Sequence, residues 1–440
     1  MMIHSLINIA LKRRMMTLFF PFLIFVLLFW MLFPSVLMAQ SSRILTIEDA
    51  EELLLSKNLE LVAERLEAEA MKGGITKARA FYNPNLSVGQ FVYSPNYNER
   101  PDNIFGNTDV ELSKRFDIFG KRGEQIRQAK LNVALKNLSN EQLVWELKLR
   151  LKRAFYPLYF FKKSLSFYDK SIASLKETVK NADQLSKKTD ILLSDVLSLK
   201  ALFLALQSER LSLQQELLVQ SNILSLLLLD ESNVHVTWVP SVDEGRVDKI
   251  QIDFDEKELM ELALAYRLDL QSADSQVALE KSRLKLEEQM ILPDLTLGIQ
   301  FVQTGNFVNN YFGAMFEFEL PVLYWNQGDI LMARKKLEAS SKRKSMALLL
   351  AEREVREAYM NATQIEKLYR SVDCSFVQSH ESLVDQMTQS YLRGELSLSG
   401  YVNFYSSFRE SIRLVSELAS KRLIAFEELN HAVNTSRIQF

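Results

Sequence analysis

The sequence has very few cysteines and histidines. Its 440 residues include one cysteine, Cys374, and four histidines. A single cysteine excludes a disulfide within the chain, and the scarcity of both residue types excludes a Cys/His zinc cluster. We find no Gly-x-Ser-x-Gly, no phosphate-binding loop and no metal-ligand spacing. The sequence therefore predicts that the protein is not an enzyme and has no cofactor and no metal site.

The sequence also has little excess of positive or negative charge and few helix-breaking residues. The formal net charge is -2, which gives no support for a nucleic-acid partner. Only 13 glycines and 9 prolines are present, so the chain can hold very long helices. The chain is longer than one compact core usually requires, and we therefore expect two or more structural units.

The first forty residues have the pattern of an export signal. A basic segment over residues 12–14 precedes an apolar run over about residues 16–38, and Ala39 offers a small residue for cleavage before Gln40. We predict a signal peptide over residues 1–39. Because the run is long for a signal, an uncleaved inner-membrane anchor is the alternative. No later stretch of the sequence is long and apolar enough for a membrane helix.

The rest of the chain repeats itself. Pro84 and Pro293 lie in similar turns 209 positions apart, and Ser194 and Ser399 lie in similar turns 205 positions apart. A repeat at a nearly constant offset predicts two equivalent halves. The expected units are the first repeat over residues 40–230, a linker over 231–254, the second repeat over 255–434 and a tail over 435–440.

Each half predicts the same order of elements. An amphipathic helix comes first, with Thr46 as the N-cap in the first half and Asp255 at the start of the second. A hairpin follows in which apolar and polar residues alternate. In the second half, the apolar residues of the last strand are Phe312, Ala314, Phe316, Phe318 and Leu320. About ten alternating residues fit a tilted membrane-spanning strand, and they fit a soluble hairpin with one buried face equally well.

A very long helix and an antiparallel return helix complete each half. The long helices are predicted from about Glu124 towards Lys187 and from about Asp329 towards Tyr391, each ~90–100 Å long at ~1.5 Å per residue. Pro157 is expected to bend the first one. Ser194 and Ser399 are the expected N-caps of the return helices.

Taken in order, these features resemble the TolC-like outer-membrane efflux protein family. The resemblance is carried by the strand starts Asn83–Leu86 and Leu292–Leu295, the strand ends Phe116–Gly123 and Leu320–Gly328, and the turns at Ser194 and Ser399. It covers about residues 44–434. The Gly-Lys-Arg segment at residues 120–122 is most similar to the heavy-metal subgroup that includes CzcC and CusC.

The resemblance implies a mainly α protein with membrane β structure. It implies a homotrimer in which four strands per chain form a twelve-stranded outer-membrane β-barrel, continued by a long periplasmic α-helical barrel. It implies a passive exit duct of a tripartite efflux or type I secretion system. Its partners would be a periplasmic adaptor, an inner-membrane efflux transporter of the RND type and outer-membrane lipid. The alternative is a periplasmic scaffold or adaptor held by the N-terminal anchor.

The same resemblance suggests a functional site at the two helix turns. The expected tip, gate and adaptor-contact residues are Asp190, Ser194, Asp195, Gly394, Glu395, Ser399, Gly400 and Asn403. In a trimer, rings of Asp190, Asp195 and Glu395 would attract cations and could hold a gate. Relatives often carry aspartates where this chain has Gly400 and Asn403. The competing interpretation is that the two aspartates only cap the return helix.

Overall fold

The computed structural model describes residues 41–90, 108–186, 193–228, 236–247, 255–304, 309–372 and 380–436. The predicted signal peptide, half of the linker and Cys374 lie outside these residues. The helices are α1 Ile47–Lys57, α2 Leu59–Arg79, α3 Lys121–Ser186, α4 Leu193–Leu227, α5 Glu244–Val247, α6 Glu256–Tyr266, α7 Leu268–Gln289, α8 Gln327–Ser371, α9 His380–Leu392 and α10 Leu398–Val433. The strands are β1 Ser41–Leu45, β2 Asn85–Gln90, β3 Thr108–Phe116, β4 Val236–Pro240, β5 Leu295–Thr304 and β6 Asn309–Phe318.

Contacts divide the described chain into a small and a large unit. The small unit holds the starts of β1 and β4, two strands that pair with each other. The large unit holds the helices and a four-stranded sheet in the order β2-β3-β5-β6. No described helix combines the length and the apolar character that a membrane crossing would need.

The first helix of each half is interrupted, whereas the sequence predicts one continuous helix. The predicted N-cap Thr46 is confirmed, since its side chain accepts a hydrogen bond from the Asp49 backbone amide. Asp255, the predicted start of the second half, caps α6 by accepting a hydrogen bond from the Glu256 backbone amide. The first helix then stops at Asn58, and its counterpart stops at Arg267. Both break residues have an extended backbone, so each half begins with two short helices.

The two breaks are held by contacts far away in the sequence. The side-chain amide of Asn58 donates to the carbonyl oxygen of Leu227 at 2.8 Å, and the Arg267 guanidinium donates to the carbonyl oxygen of Ala432 at 2.9 Å. Both acceptors lie at the ends of return helices, where the last carbonyls have no partner within the helix. Each break therefore ties the start of a half to its end.

All three strand pairings in the large sheet are antiparallel and in simple register. Val88 faces Val110, Leu112 faces Ile299, and Ile299 faces Ala314. The strands that the sequence predicts are present, but Leu320 lies beyond β6, contrary to the prediction. The pairing ends at Phe318 because its partner is Leu295, the first residue of β5.

The long helices start slightly earlier than predicted. Helix α3 begins at Lys121 and spans 66 residues with Pro157 inside it, which is ~100 Å at ~1.5 Å per residue. Helix α8 begins at Gln327 and spans 45 residues. The expected continuation from α8 into α9 crosses residues outside the described part of the chain, so a single long helix there stays a prediction.

One apolar core joins the far part of α3 to α4, α9 and α10. Its fully buried members include Leu175, Leu199, Leu206, Tyr401 and Tyr405. The apolar residues of α10 recur at three- and four-residue steps, which places them on one helix face. This core positions the turn between α9 and α10 beside the start of α4.

Candidate functional site

The turn between α9 and α10 is closed by Gly394. Its φ of 73° lies in the left-handed region that favours glycine. The Glu395 amide donates to the Ser390 carbonyl oxygen at 2.9 Å, and the Gly394 amide donates to the Tyr391 carbonyl oxygen at 3.0 Å. This pair of hydrogen bonds is the Schellman arrangement that ends many helices. The chain therefore reverses direction within a few residues.

Helix α10 is capped by Ser397, and the prediction of Ser399 as the cap is wrong. Ser397 has an extended backbone, and its hydroxyl accepts a hydrogen bond from the Gly400 amide at 3.2 Å. Ser399 lies inside the first helical turn, where its hydroxyl contacts that of Ser397 at 3.1 Å. A Cβ atom at Gly400 would lie 2.8 Å from the side chain of Leu396, so this position is crowded.

The first turn differs from its predicted form in the same way. Helix α4 already includes Leu193, so Ser194 is its second residue and not its N-cap. The Ser194 hydroxyl donates to the carboxylate of Asp195 at 3.3 Å. Asp195 lies in the first helical turn, where a negative charge is favoured by the helix dipole. Asp190 lies outside the described residues, and its predicted place in the site stays a prediction.

The structure brings Asp195 close to the second turn. The pKa of the Tyr391 phenol is raised, first by burial and then by the negative charge of Asp195. The rings of Tyr391 and Tyr401 stack with centroids 4.7 Å apart. The charge of Asp195 therefore acts on Tyr391, in the last turn of α9 before Gly394. The Glu395 and Asn403 side chains are exposed on the surface of the same region.

Sequence reasoning missed a group of hydroxyl-bearing side chains under this turn. Thr388 lies 3.3 Å from the Tyr401 hydroxyl and 3.4 Å from the Ser174 hydroxyl, oxygen to oxygen. Tyr401 and Tyr405 are fully buried, and Tyr405 has its pKa raised by burial first. The four-residue spacing of the two tyrosines was the available signal for a shared helix face.

Ion pairs tie the helices together behind the turns. The Glu209 carboxylate accepts a hydrogen bond from the Tyr168 hydroxyl at 3.1 Å and pairs with Arg409 at 2.8 Å. Lys200 pairs with Asp183 at 2.8 Å. These contacts connect α3, α4 and α10 side by side. Among the described residues, no group of three or more His, Cys, Asp or Glu side chains could hold a metal ion.

Helix α4 carries an apolar stripe that no described element covers. Leu197, Leu204, Leu211 and Leu218 recur every seven residues, and each is more than half exposed. The opposite face of the helix is buried and includes Leu206. A seven-residue repeat of exposed leucines is typical of a helix that packs against another helix.

The large sheet has one apolar and one polar face. The apolar face is continuous across all four strands and consists, apart from Lys114 and the polar ends of strands, of Leu86, Val88, Val110, Leu112, Phe116, Leu295, Leu297, Ile299, Phe301, Phe312, Ala314, Phe316 and Phe318. The other face is mainly polar, with Glu111, Gln300 and Glu317, and it also carries Val302, Tyr311 and Met315. Phe312 is 81% exposed and Phe316 is 69% exposed, so the described helices leave the apolar face uncovered.

Comparison with solved structures defines the class of fold. No protein-family model matches the chain, and no characterised protein matches it in sequence. Solved structures of outer-membrane channels match the chain, which therefore has the fold of these proteins.

Three of these structures illustrate the match. The CmeC outer membrane channel of Campylobacter jejuni matches with a TM-score of 0.73 at 14% identity, over 88% of this chain and 85% of that chain. The outer membrane protein VceC of Vibrio cholerae matches with a TM-score of 0.68 at 15% identity, over 88% and 96%. CusC matches with a TM-score of 0.70 at 13% identity, over 89% and 92%. The predicted resemblance to TolC-like channels is thereby confirmed for the fold.

Proposed function

We propose that this protein is the outer-membrane channel of a tripartite efflux system. It would conduct substrates passively after an inner-membrane transporter and a periplasmic adaptor deliver them. The observation that carries the proposal is the uncovered apolar face of the four-stranded sheet, on a chain that also has a helix of 66 residues. One face suited to lipid and one suited to water is the pattern of a membrane β-barrel strand. The likeness to outer-membrane channels supports the same conclusion.

The sheet of one chain would be a third of the barrel. Strands β2 and β6 are the outer strands of the sheet, so each has an edge without a partner among the described strands. In lipid, unpaired backbone groups are costly, and only a closed barrel satisfies all of them. Four strands are too few to close, whereas three chains give twelve, which can. A homotrimer with a twelve-stranded barrel is therefore part of the proposal.

The leucine stripe of α4 supports self-association of the helices. Its exposed residues recur with the period that suits lateral packing of helices. A neighbouring copy would cover the stripe and extend the helices into an α-helical barrel. The repeated element order and matching breaks at Asn58 and Arg267 support an internal duplication, with repeats over residues 40–230 and 255–434.

The turns that contain Asp195 and Gly394 are proposed as the tip that meets the adaptor. Three copies of Asp195 would form a ring of carboxylates near the axis, which would favour cations. We expect Asp195→Asn to lower the cation preference of the channel in a planar bilayer. Glu216→Gln removes an exposed carboxylate elsewhere on α4 and should leave the preference unchanged. Equal selectivity in both variants would leave Asp195 with only a capping role.

The trimer and its location can be tested together. The protein should be found in outer-membrane fractions, and light scattering in detergent should give three chains per particle. Leu211→Glu places a charge in the stripe and should shift the particles towards single chains. Ser212→Glu adds the same charge at the adjacent exposed position and should leave the trimer intact. Single chains in the unaltered protein, or its absence from the outer-membrane fraction, would overturn the proposal.

A further inference from the structure

One end of the large sheet gathers bulky apolar side chains. In the sheet register, Phe116 faces Leu295, and Leu295 faces Phe318. Both long helices begin a few residues after these strand ends, α3 at Lys121 and α8 at Gln327. This end of the sheet is therefore the junction between the proposed membrane part and the helical part.

Lys114 is the one charged side chain on the described apolar face of the sheet. Its ammonium nitrogen lies 5.6 Å from the ring centroid of Phe81 and 5.5 Å from that of Phe116. No carboxylate of the described residues forms an ion pair with it. Arg115, on the opposite face, does have such a partner, since it pairs with Asp294. The Lys114 ammonium group therefore lies among aromatic rings and next to apolar surface, and no carboxylate of the described residues pairs with it.

The segment between β6 and α8 exposes apolar side chains at the same end. Leu323 is 94% exposed, and the neighbouring Val322 and Trp325 are each more than half exposed. The segment is nevertheless held in place, because the Trp325 indole donates to the Val322 carbonyl oxygen at 3.3 Å and the Tyr324 hydroxyl donates to Asp329 at 2.7 Å. These apolar side chains are therefore exposed on a turn that is itself ordered.

We propose that this junction binds phospholipid, with Leu320–Trp325 inserted at the boundary between headgroups and acyl chains and Lys114 on a headgroup phosphate. Tryptophan and tyrosine prefer this level of a bilayer because their rings are apolar and carry a polar tip. A lysine beside apolar surface extends its ammonium group to the same level. The inference rests on the proposed function. The phospholipid bound at this junction would belong to the leaflet that faces the long helices.

The depth of Trp325 tests the first part. The protein is reconstituted into vesicles of phosphatidylcholine brominated at defined acyl-chain positions, and tryptophan fluorescence is recorded. We expect bromines near the headgroup to quench strongly, and Trp325→Phe to remove most of that quenching. Trp238 is buried in the protein and serves as the internal reference. Quenching that is unchanged by Trp325→Phe, in vesicles that do contain inserted protein, would overturn the proposal.

The charge of Lys114 tests the second part. Native mass spectrometry of protein extracted from vesicles with phosphatidylglycerol should detect bound lipid on the unaltered trimer. We expect Lys114→Gln to reduce the bound lipid several-fold. Lys367→Gln, an exposed change far along α8, should leave it unchanged. Equal retention by both variants would overturn the role of Lys114. Failure of the unaltered protein to insert into vesicles would instead contradict the proposed channel function.

Discussion

Lys152 is expected to be a critical charge in the helical part of the molecule. Its ammonium nitrogen lies 2.8 Å from a carboxylate oxygen of Glu427 and 2.9 Å from one of Glu51. The Lys152 side chain is 17% exposed and that of Glu427 is 5% exposed. The three residues come from α3, α10 and α1, so the cluster joins both ends of the chain. Removing the lysine would leave two partly buried carboxylates without their common partner.

The size of the effect follows from the surroundings of each carboxylate. Breaking a buried ion pair from one side costs about 3–5 kcal/mol. Glu51 keeps Lys148 at 2.7 Å and is partly exposed, so most of the cost falls on Glu427. We therefore expect Lys152→Met to destabilise the protein by about 3 kcal/mol at pH 8, at the lower end of that range.

The cost should depend on pH in a definite direction. Burial raises the pKa of Glu427 above its ordinary value, although Lys152 opposes the shift. A raised folded-state pKa means that the contribution of Glu427 to stability falls as pH rises through that pKa. Without Lys152 the pKa rises further, so the loss extends to higher pH. As the pH falls, more of the carboxyl left without Lys152 takes up a proton, so the penalty should be smaller at pH 5.5 than at pH 8.

Urea denaturation followed by helical circular dichroism measures this effect in detergent. The matched control is Lys163→Met, because Lys163 pairs with Glu244 at the surface, where the side chains are 51% and 44% exposed. Exposed pairs contribute about 0–1 kcal/mol. The reasoning would be refuted if both variants lost the same stability, or if the loss in Lys152→Met were the same at both pH values.

Two substitutions, each with a matched control, test the turn between α9 and α10. Gly394→Ala should lower the free energy of unfolding by about 1 kcal/mol, because a φ of 73° disfavours a side chain. The control is Gly73→Ala within α2, where a Cβ atom would meet nothing within 4 Å. This control should raise the free energy of unfolding by about 0.5–1 kcal/mol. Ser397→Ala should cost about 1 kcal/mol as a lost N-cap, and Ser399→Ala should cost less. Stability is measured by the same denaturation assay. Equal losses of stability in Ser397→Ala and Ser399→Ala, or a gain of stability in Gly394→Ala, would contradict this description of the turn.

Local patterns made the first helix starts and the strands predictable. Thr46 and Asp255 cap helices through atoms within three residues, and this is information that a sequence contains. The alternation around Phe316 likewise predicts which face of a strand is apolar. Leu320 continues the same alternation, yet it lies outside the strand because no partner residue remains opposite it.

Other features depend on contacts that the sequence does not reveal. The breaks at Asn58 and Arg267 are held by carbonyl groups 169 and 165 positions away. The Ser397 cap was missed because Ser397 and Ser399 are both good capping residues, and only the backbone conformation decides between them. The cluster around Lys152 was missed because its partners lie in distant helices.

The most direct test of the central claim is ion conductance across a planar lipid bilayer. On the proposed function, discrete conductance steps are expected from the unaltered protein, because the apolar face of the sheet would contact lipid and the polar face would line a pore. Phe316→Arg adds a cation to the lipid face and should abolish insertion, while Glu317→Arg adds the same residue to the opposite face and should retain conductance. Absence of conductance from the unaltered protein, or equal insertion of both variants, would contradict it.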